Sequence, residues 1–126
     1  MGKPIRVLLA NHPRLMRELI LSMFSEQPDI EIVGEVADEA DVMGSIERTQ
    51  PDVVVIAQDD FRERPRLCNE VLHQWPIIRI IAVGPHKDHL VHYWTTLDIH
   101  SDDIEASEES ILGVLRTNVN SAWGLA

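Results

Sequence analysis

Residues Ile5–Ala10 are apolar apart from Arg6 and sit between turn formers, the pattern of a short strand covered on both faces. Asn11 and His12 then offer a cap and Pro13 a first turn, and Leu15, Leu19 and Met23, flanked by Met16 and Ile20, recur at helical spacing as far as Phe24. Gln27, Pro28 and Asp29 stop that helix. Over 30–37, Ile30, Ile32, Val33 and Val36 gather around Gly34 with acidic residues between them, which predicts a strand at a sheet edge. Asp38 caps a predicted helix running to about Thr49, its stripe made of Val42, Met43 and Ile46, and Pro51 ends it.

The segment 52–57 is the most β-branched of the chain, and its unbroken apolar run predicts a central parallel strand. A charged loop follows over 58–65, then a helix carrying Leu67, Cys68, Val71 and Leu72 that Trp75 and Pro76 close. A fourth buried strand is predicted over 77–83, stopped by Gly84 and Pro85. Over 87–95 the positions of Leu90, Val91 and Trp94 suit a helix, with a weak fifth strand at 97–99 or at 104–106. Ser107, followed by Glu108 and Glu109, caps a last helix whose inner face is Ile111, Leu112, Leu115 and Val119.

Strand and helix thus alternate five times, which predicts an α/β, flavodoxin-like (βα)5 three-layer sandwich around a five-stranded parallel sheet. In such a sheet the working crevice lies beyond the carboxyl ends of the strands, where Asn11, His12, Ala57, Asp59, Asp60, Gly84 and His86 are expected to converge. No glycine follows the first strand, so a phosphate-cradling loop of the dinucleotide or P-loop kind has no support.

The length of 126 residues suits one domain spanning 1–126, and 44% hydrophobic residues with 25% charged ones place the chain among folded globular proteins. A formal charge of −10 opposes phosphate backbones and anionic lipid, so neither direct nucleic-acid binding nor membrane association is expected. Cys68 is the single cysteine and is read as a small core residue in a reducing, cytoplasmic setting. The apolar run near the amino end is too short for a signal segment or a membrane span.

Ile5-Arg6-Val7-Leu8-Leu9-Ala10, Leu15-Met16-Arg17-Glu18, Gln27-Pro28-Asp29-Ile30-Glu31-Ile32-Val33-Gly34-Glu35 and Pro51-Asp52-Val53-Val54-Val55-Ile56 together resemble the receiver domains of bacterial response regulators. The likeness is greatest to receivers attached to LuxR or NarL type DNA-binding domains. It continues to Gly84 and thins beyond, though Ala106-Ser107-Glu108-Glu109 and Trp123 still resemble the family's last helix and the segment after it.

In that family an aspartate ending the third strand accepts a phosphoryl group, an acidic pair after the first strand holds magnesium, a Ser or Thr follows the fourth strand and a lysine the fifth. The chemistry needs a carboxylate nucleophile and cations to balance the phosphoryl oxygens. The resemblance places Asn11 and His12 at the acidic pair, Ala57 at the acceptor, Gly84 at the hydroxyl and, in ungapped register, Ile104 at the lysine. Ala57 has no oxygen to phosphorylate, and Asn11 with His12 is no carboxylate cage, so magnesium binding is expected to be lost.

The expected protein is therefore not an enzyme but a pseudo-receiver that signals by contact, through a signalling partner or as a homodimer. The resemblance puts its interface on the fourth helix, fifth strand and fifth helix, where Tyr93, Trp94 and Trp123 are candidate anchors. Two alternatives compete with it: phosphorylation displaced to Asp59 or Asp60, and a ligand or transition-metal site drawn from His12, Asp59, Asp60, His86, His89 and His92, with adjacent members of the last three sharing a helical face. The run 98–103 is read as a solvated loop, and Asp102, Asp103, Glu108 and Glu109 as an acidic patch that selects a basic partner.

Overall fold

The structure, a computed structural model, describes residues 3–10, 14–84, 89–96 and 99–117. The chain runs β1 (Ile5–Ala10), α1 (Arg14–Ser25), β2 (Ile30–Val36), a 3-10 turn (Glu39–Asp41), α2 (Val42–Thr49), β3 (Val53–Ala57), α3 (Arg66–Gln74), β4 (Arg79–Val83), β5 (His89–Thr95), β6 (Ile99–Glu105) and α4 (Glu108–Arg116). The strands form one sheet in the order β2-β1-β3-β4-β5-β6.

The first two thirds follow the alternation in the sequence. β2, β1, β3 and β4 are mutually parallel, and β2 lies at the edge. Because a parallel strand is covered on both faces, its side chains divide between two cores. Leu8, Val54, Ile56 and Ile80 pack with Ile46 of α2 and Leu67, Cys68, Val71 and Leu72 of α3, while Val7, Leu9, Val55 and Ile81 pack with Ile20 and Phe24 of α1 and Ile111 and Leu115 of α4. The result is the three-layer sandwich. The expected caps form as well, since Ser107 Oγ accepts from Ser110 N at 3.0 Å and Asp38 Oδ1 from Ala40 N at 3.1 Å, the latter closing the 3-10 turn ahead of α2.

The last third departs from it. The sheet has six strands and is mixed: β5 runs antiparallel to β4, and β6 antiparallel to β5. No helix separates β4 from β5 among the described residues; the stretch expected to be helical is strand from His89 onward. Leu90 and Val91, read as neighbours on a helix, instead enter opposite cores. The fifth-strand candidates resolve into one element, β6, which takes up most of the run read as a solvated loop; Leu97 and Asp98 lie outside the described residues.

Candidate functional site

β3 ends at Ala57, and Val83 of β4 stands beside it in register, so Ala57 and Gly84 come together at the carboxyl edge of the sheet as the sequence implied. The amide of Gln58 donates to Val83 O at 3.0 Å and carries the pairing one residue past the strand. The Gln58 side chain then organises the loop. It is 4% exposed, its Nε2 donates to Asp60 O at 2.8 Å and to Glu63 O at 3.2 Å, and its Oε1 accepts from the Tyr93 hydroxyl at 3.0 Å. A buried amide satisfied in this way fixes the loop's path, because each lost partner would strand a polar atom away from water.

That path turns Phe61 back over the sheet. A β-carbon on Gly84 would stand 2.8 Å from Phe61 Cε2, closer than carbon atoms approach, so the ring occupies the space a side chain at position 84 would need. The ring also stacks on His89, with ring centroids 4.1 Å apart and planes within 9°. His89 Nε2 in turn meets Asp103 Oδ1 at 3.0 Å. An open cleft of about 560 Å³ remains outside this stack, lined by Asp59, Asp60, Phe61, Arg62 and His89.

The candidate acceptors sit in that loop. Asp60 Oδ1 accepts from Arg62 N at 2.9 Å and from Arg62 Nε at 3.0 Å, and Oδ2 from Arg62 Nη2 at 3.0 Å. This bidentate pair holds the carboxylate in a local turn, and the hydrogen bond raises the Arg62 guanidinium above its usual range. Asp59 is exposed at the rim of the cleft.

Asn11 and His12 lie outside the described residues, as do His86 and Trp123. Ile104 stands on β6 opposite Leu90, with β5 between it and β4. The residue brought to the carboxyl edge next to β4 is His89, whose carbonyl accepts from Gly84 N at 3.0 Å. His89 and His92, three apart, do not share a face as they would on a helix, because strand side chains alternate. Among the described residues no group of three His, Cys, Asp or Glu is placed to hold a metal ion. At the end of β3 Ala57 gives a methyl group, and Phe61 and His89 form an aromatic stack beside the cleft that Asp59 and Asp60 line.

Of the expected interface anchors, Tyr93 is a core residue, 5% exposed, and burial pushes its phenol above the usual range against the lowering effect of the Gln58 hydrogen bond. Trp94 is half-buried between His92 and His100, with ring centroids at 5.0 and 5.3 Å. Where the fourth helix of that interface was expected, the described residues from His89 to Thr95 are strand. Cys68 is buried as expected, and burial pushes its thiol up to about 12, well away from thiolate chemistry at neutral pH. Gln58 and Phe61 were not singled out by the sequence reading, although Phe61 is the one large apolar residue in a charged loop and carried that signal.

A mixed, mostly parallel sheet covered by helices on both faces, with its crevice at the ends of β3 and β4, defines the fold class, and comparison with solved structures shows that the fold is the one that receiver domains have. The signal receiver domain of NarL from Mycobacterium tuberculosis superposes with a TM-score of 0.58 at 21% identity, covering 68% of this chain and 70% of that one. The response regulator domain of Thermotoga maritima CheB gives 0.54 at 22% identity, covering 65% and 61%. No family model matches the sequence. Among curated proteins, protein-glutamate methylesterase/protein-glutamine glutaminase 2 of Koribacter versatilis is 42% identical over 53 residues, which are 42% of this chain and 15% of that protein. The Caulobacter vibrioides counterpart is 40% identical over 52 residues, again 15% of its length. The match therefore spans about 15% of the length of these relatives, and the solved structures that the chain resembles in fold are receiver domains. Among the described residues no helix is long and apolar enough to cross a membrane.

Proposed function

We propose that this domain is a pseudo-receiver, which keeps the receiver scaffold and conveys signals by contact with a partner protein rather than by accepting a phosphoryl group. The observation that carries the reading is the end of β3: a methyl group at Ala57, beside Gly84, under a Phe61 ring stacked on His89. Phosphoryl transfer needs a carboxylate in line and cations close by, and a ring packed over the adjacent position offers neither. Asp60 as a displaced acceptor is disfavoured by its bidentate engagement with Arg62, which draws charge from the oxygens that would attack.

The contact surface we assign to this role is the outer edge of β6. An edge strand presents unpaired backbone donors and acceptors, and a chain of matching charge can extend the sheet there. Asp102, Asp103 and Glu105 make this edge acidic. Two copies paired antiparallel about the middle of Ile99–Glu105 would set Asp102 against itself, a repulsive arrangement, whereas a basic extended segment is complementary. The partner is thus a signalling protein with a basic strand, in preference to a second copy.

The test is affinity capture from the native cell with the domain as bait. The expected partner is retained without a phosphodonor, is released by raised salt and is lost with the Asp102→Lys/Asp103→Lys variant. Capture that depends on acetyl phosphate and magnesium, or that ignores the charge reversal, would overturn the proposal.

A further inference from the structure

A second cleft, of about 590 Å³, opens at the amino ends of β1, β3 and β4, the opposite end of the sheet from Ala57. Its charge runs against that of the whole chain. Lys3, Arg6, Arg79 and Arg116 line it, four of the eleven Lys and Arg residues of a protein whose net charge is −10, and Asp52 is the one carboxylate in its described wall.

The fold holds two of these cations through neutral groups. Arg79 Nη1 and Nη2 donate to Val114 O at 2.9 Å and Leu115 O at 2.6 Å, so this guanidinium caps the carboxyl end of α4. Arg6 Nη1 donates to Gln50 O at 2.7 Å, while Asp52 Oδ2 is turned toward the Arg6 amide at 2.9 Å. Arg116 is neutralised by Asp29, with contacts of 2.7 and 2.9 Å. The Lys3 ammonium meets no partner among the described residues. Asp52, Asp29 and the negative end of α4 together offset part of the four positive charges, and the remainder stays positive with unfilled donors on Lys3 and Arg6.

We propose that this cleft binds a small phosphate-bearing anion, with Lys3 and Arg6 contacting the phosphoryl oxygens and Arg79 supplying positive potential behind them. A phosphate dianion matches the residual charge, and its several acceptors match the ammonium and guanidinium donors better than a single carboxylate does. The volume admits either inorganic phosphate or a mononucleotide. The site is separate from the pocket at Ala57 and stands whether or not the pseudo-receiver reading does.

The test is a titration of the isotopically labelled domain, followed by amide NMR at constant ionic strength, with inorganic phosphate in one arm and adenosine monophosphate in the other. Saturable shifts are expected at residues 3–6, 50–52 and 115–117. Equal affinity in both arms assigns the phosphoryl group alone as the ligand, and tighter binding of the nucleotide assigns a nucleoside phosphate. Lys3→Gln/Arg6→Gln should weaken binding by about tenfold or more with the circular dichroism unchanged, and Lys3→Gln alone, on an exposed side chain, serves if the double variant does not fold. The absence of saturable shifts, shifts confined to 57–62 and 84, or undiminished affinity in a folded variant would overturn the inference.

Discussion

At the scale of single residues, the end of β3 and β4 is a packed structure with its own constraints. Gly84 and Phe61 are matched, since a β-carbon at 84 would come within 2.8 Å of a ring that also stacks on His89. Gly84→Ala should therefore cost about 1–3 kcal/mol by overpacking. The cost should largely vanish in a Phe61→Leu background, which urea denaturation of the four proteins of the cycle measures. Equal costs in both backgrounds would show that the ring does not fill this space. Gly84→Ser should carry the same penalty.

The sequence could reveal what was missing from this pocket but not what replaced it. Ala57 and Gly84 were legible because β3 and β4 are strongly patterned strands whose ends can be counted. Phe61 reaches Gly84 only through the Gln58 hydrogen bonds, and His89 only because the strand bearing it runs backwards, and neither relation lies in local spacing.

At the scale of elements, the parallel half was readable and the hairpin was not. β1, β3 and β4 are apolar runs whose composition suits a doubly covered strand and little else. β5 reads His-Leu-Val-His-Tyr-Trp-Thr and has side chains covered on both faces, so it lacks the alternation that marks a strand and mimics helical spacing at Leu90, Val91 and Trp94. Its aromatic and β-branched content was the better guide. β6, with Ser101, Asp102 and Asp103 at its centre, has low strand propensity and is held by pairing with β5, a tertiary effect beyond local reading.

The hairpin also carries a titratable group inside the fold. His92 is 3% exposed, and its Nε2 has no hydrogen-bond partner among the described residues. Burial, with the nearby Arg79 cation adding to it, lowers its pKa from 6.5 to about 4. In the unfolded chain the imidazole takes up a proton as the pH falls below 6.5, while the folded protein resists until about 4. Between those values the unfolded state binds more protons, so acidification destabilises the fold, by on the order of 3 kcal/mol when complete. Chemical denaturation at pH 7 and pH 5 should show this slope, and His92→Leu should flatten it; the same slope in both proteins would assign it to other groups.

At the scale of the whole molecule, two ends of one sheet have diverged. The carboxyl end, where a receiver performs its chemistry, carries a methyl group and an aromatic stack, and the acidic edge strand beside it is suited to a basic partner. The amino end gathers positive charge in a chain that is otherwise negative. The scaffold between them is the receiver's, as the superpositions on NarL and CheB show. The central claim is that this scaffold works without a phosphoryl group. It is tested most directly by intact-mass measurement after incubation with acetyl phosphate and magnesium. The account predicts an unchanged mass; a gain of one phosphoryl group, abolished by Asp59→Asn or Asp60→Asn, would contradict it.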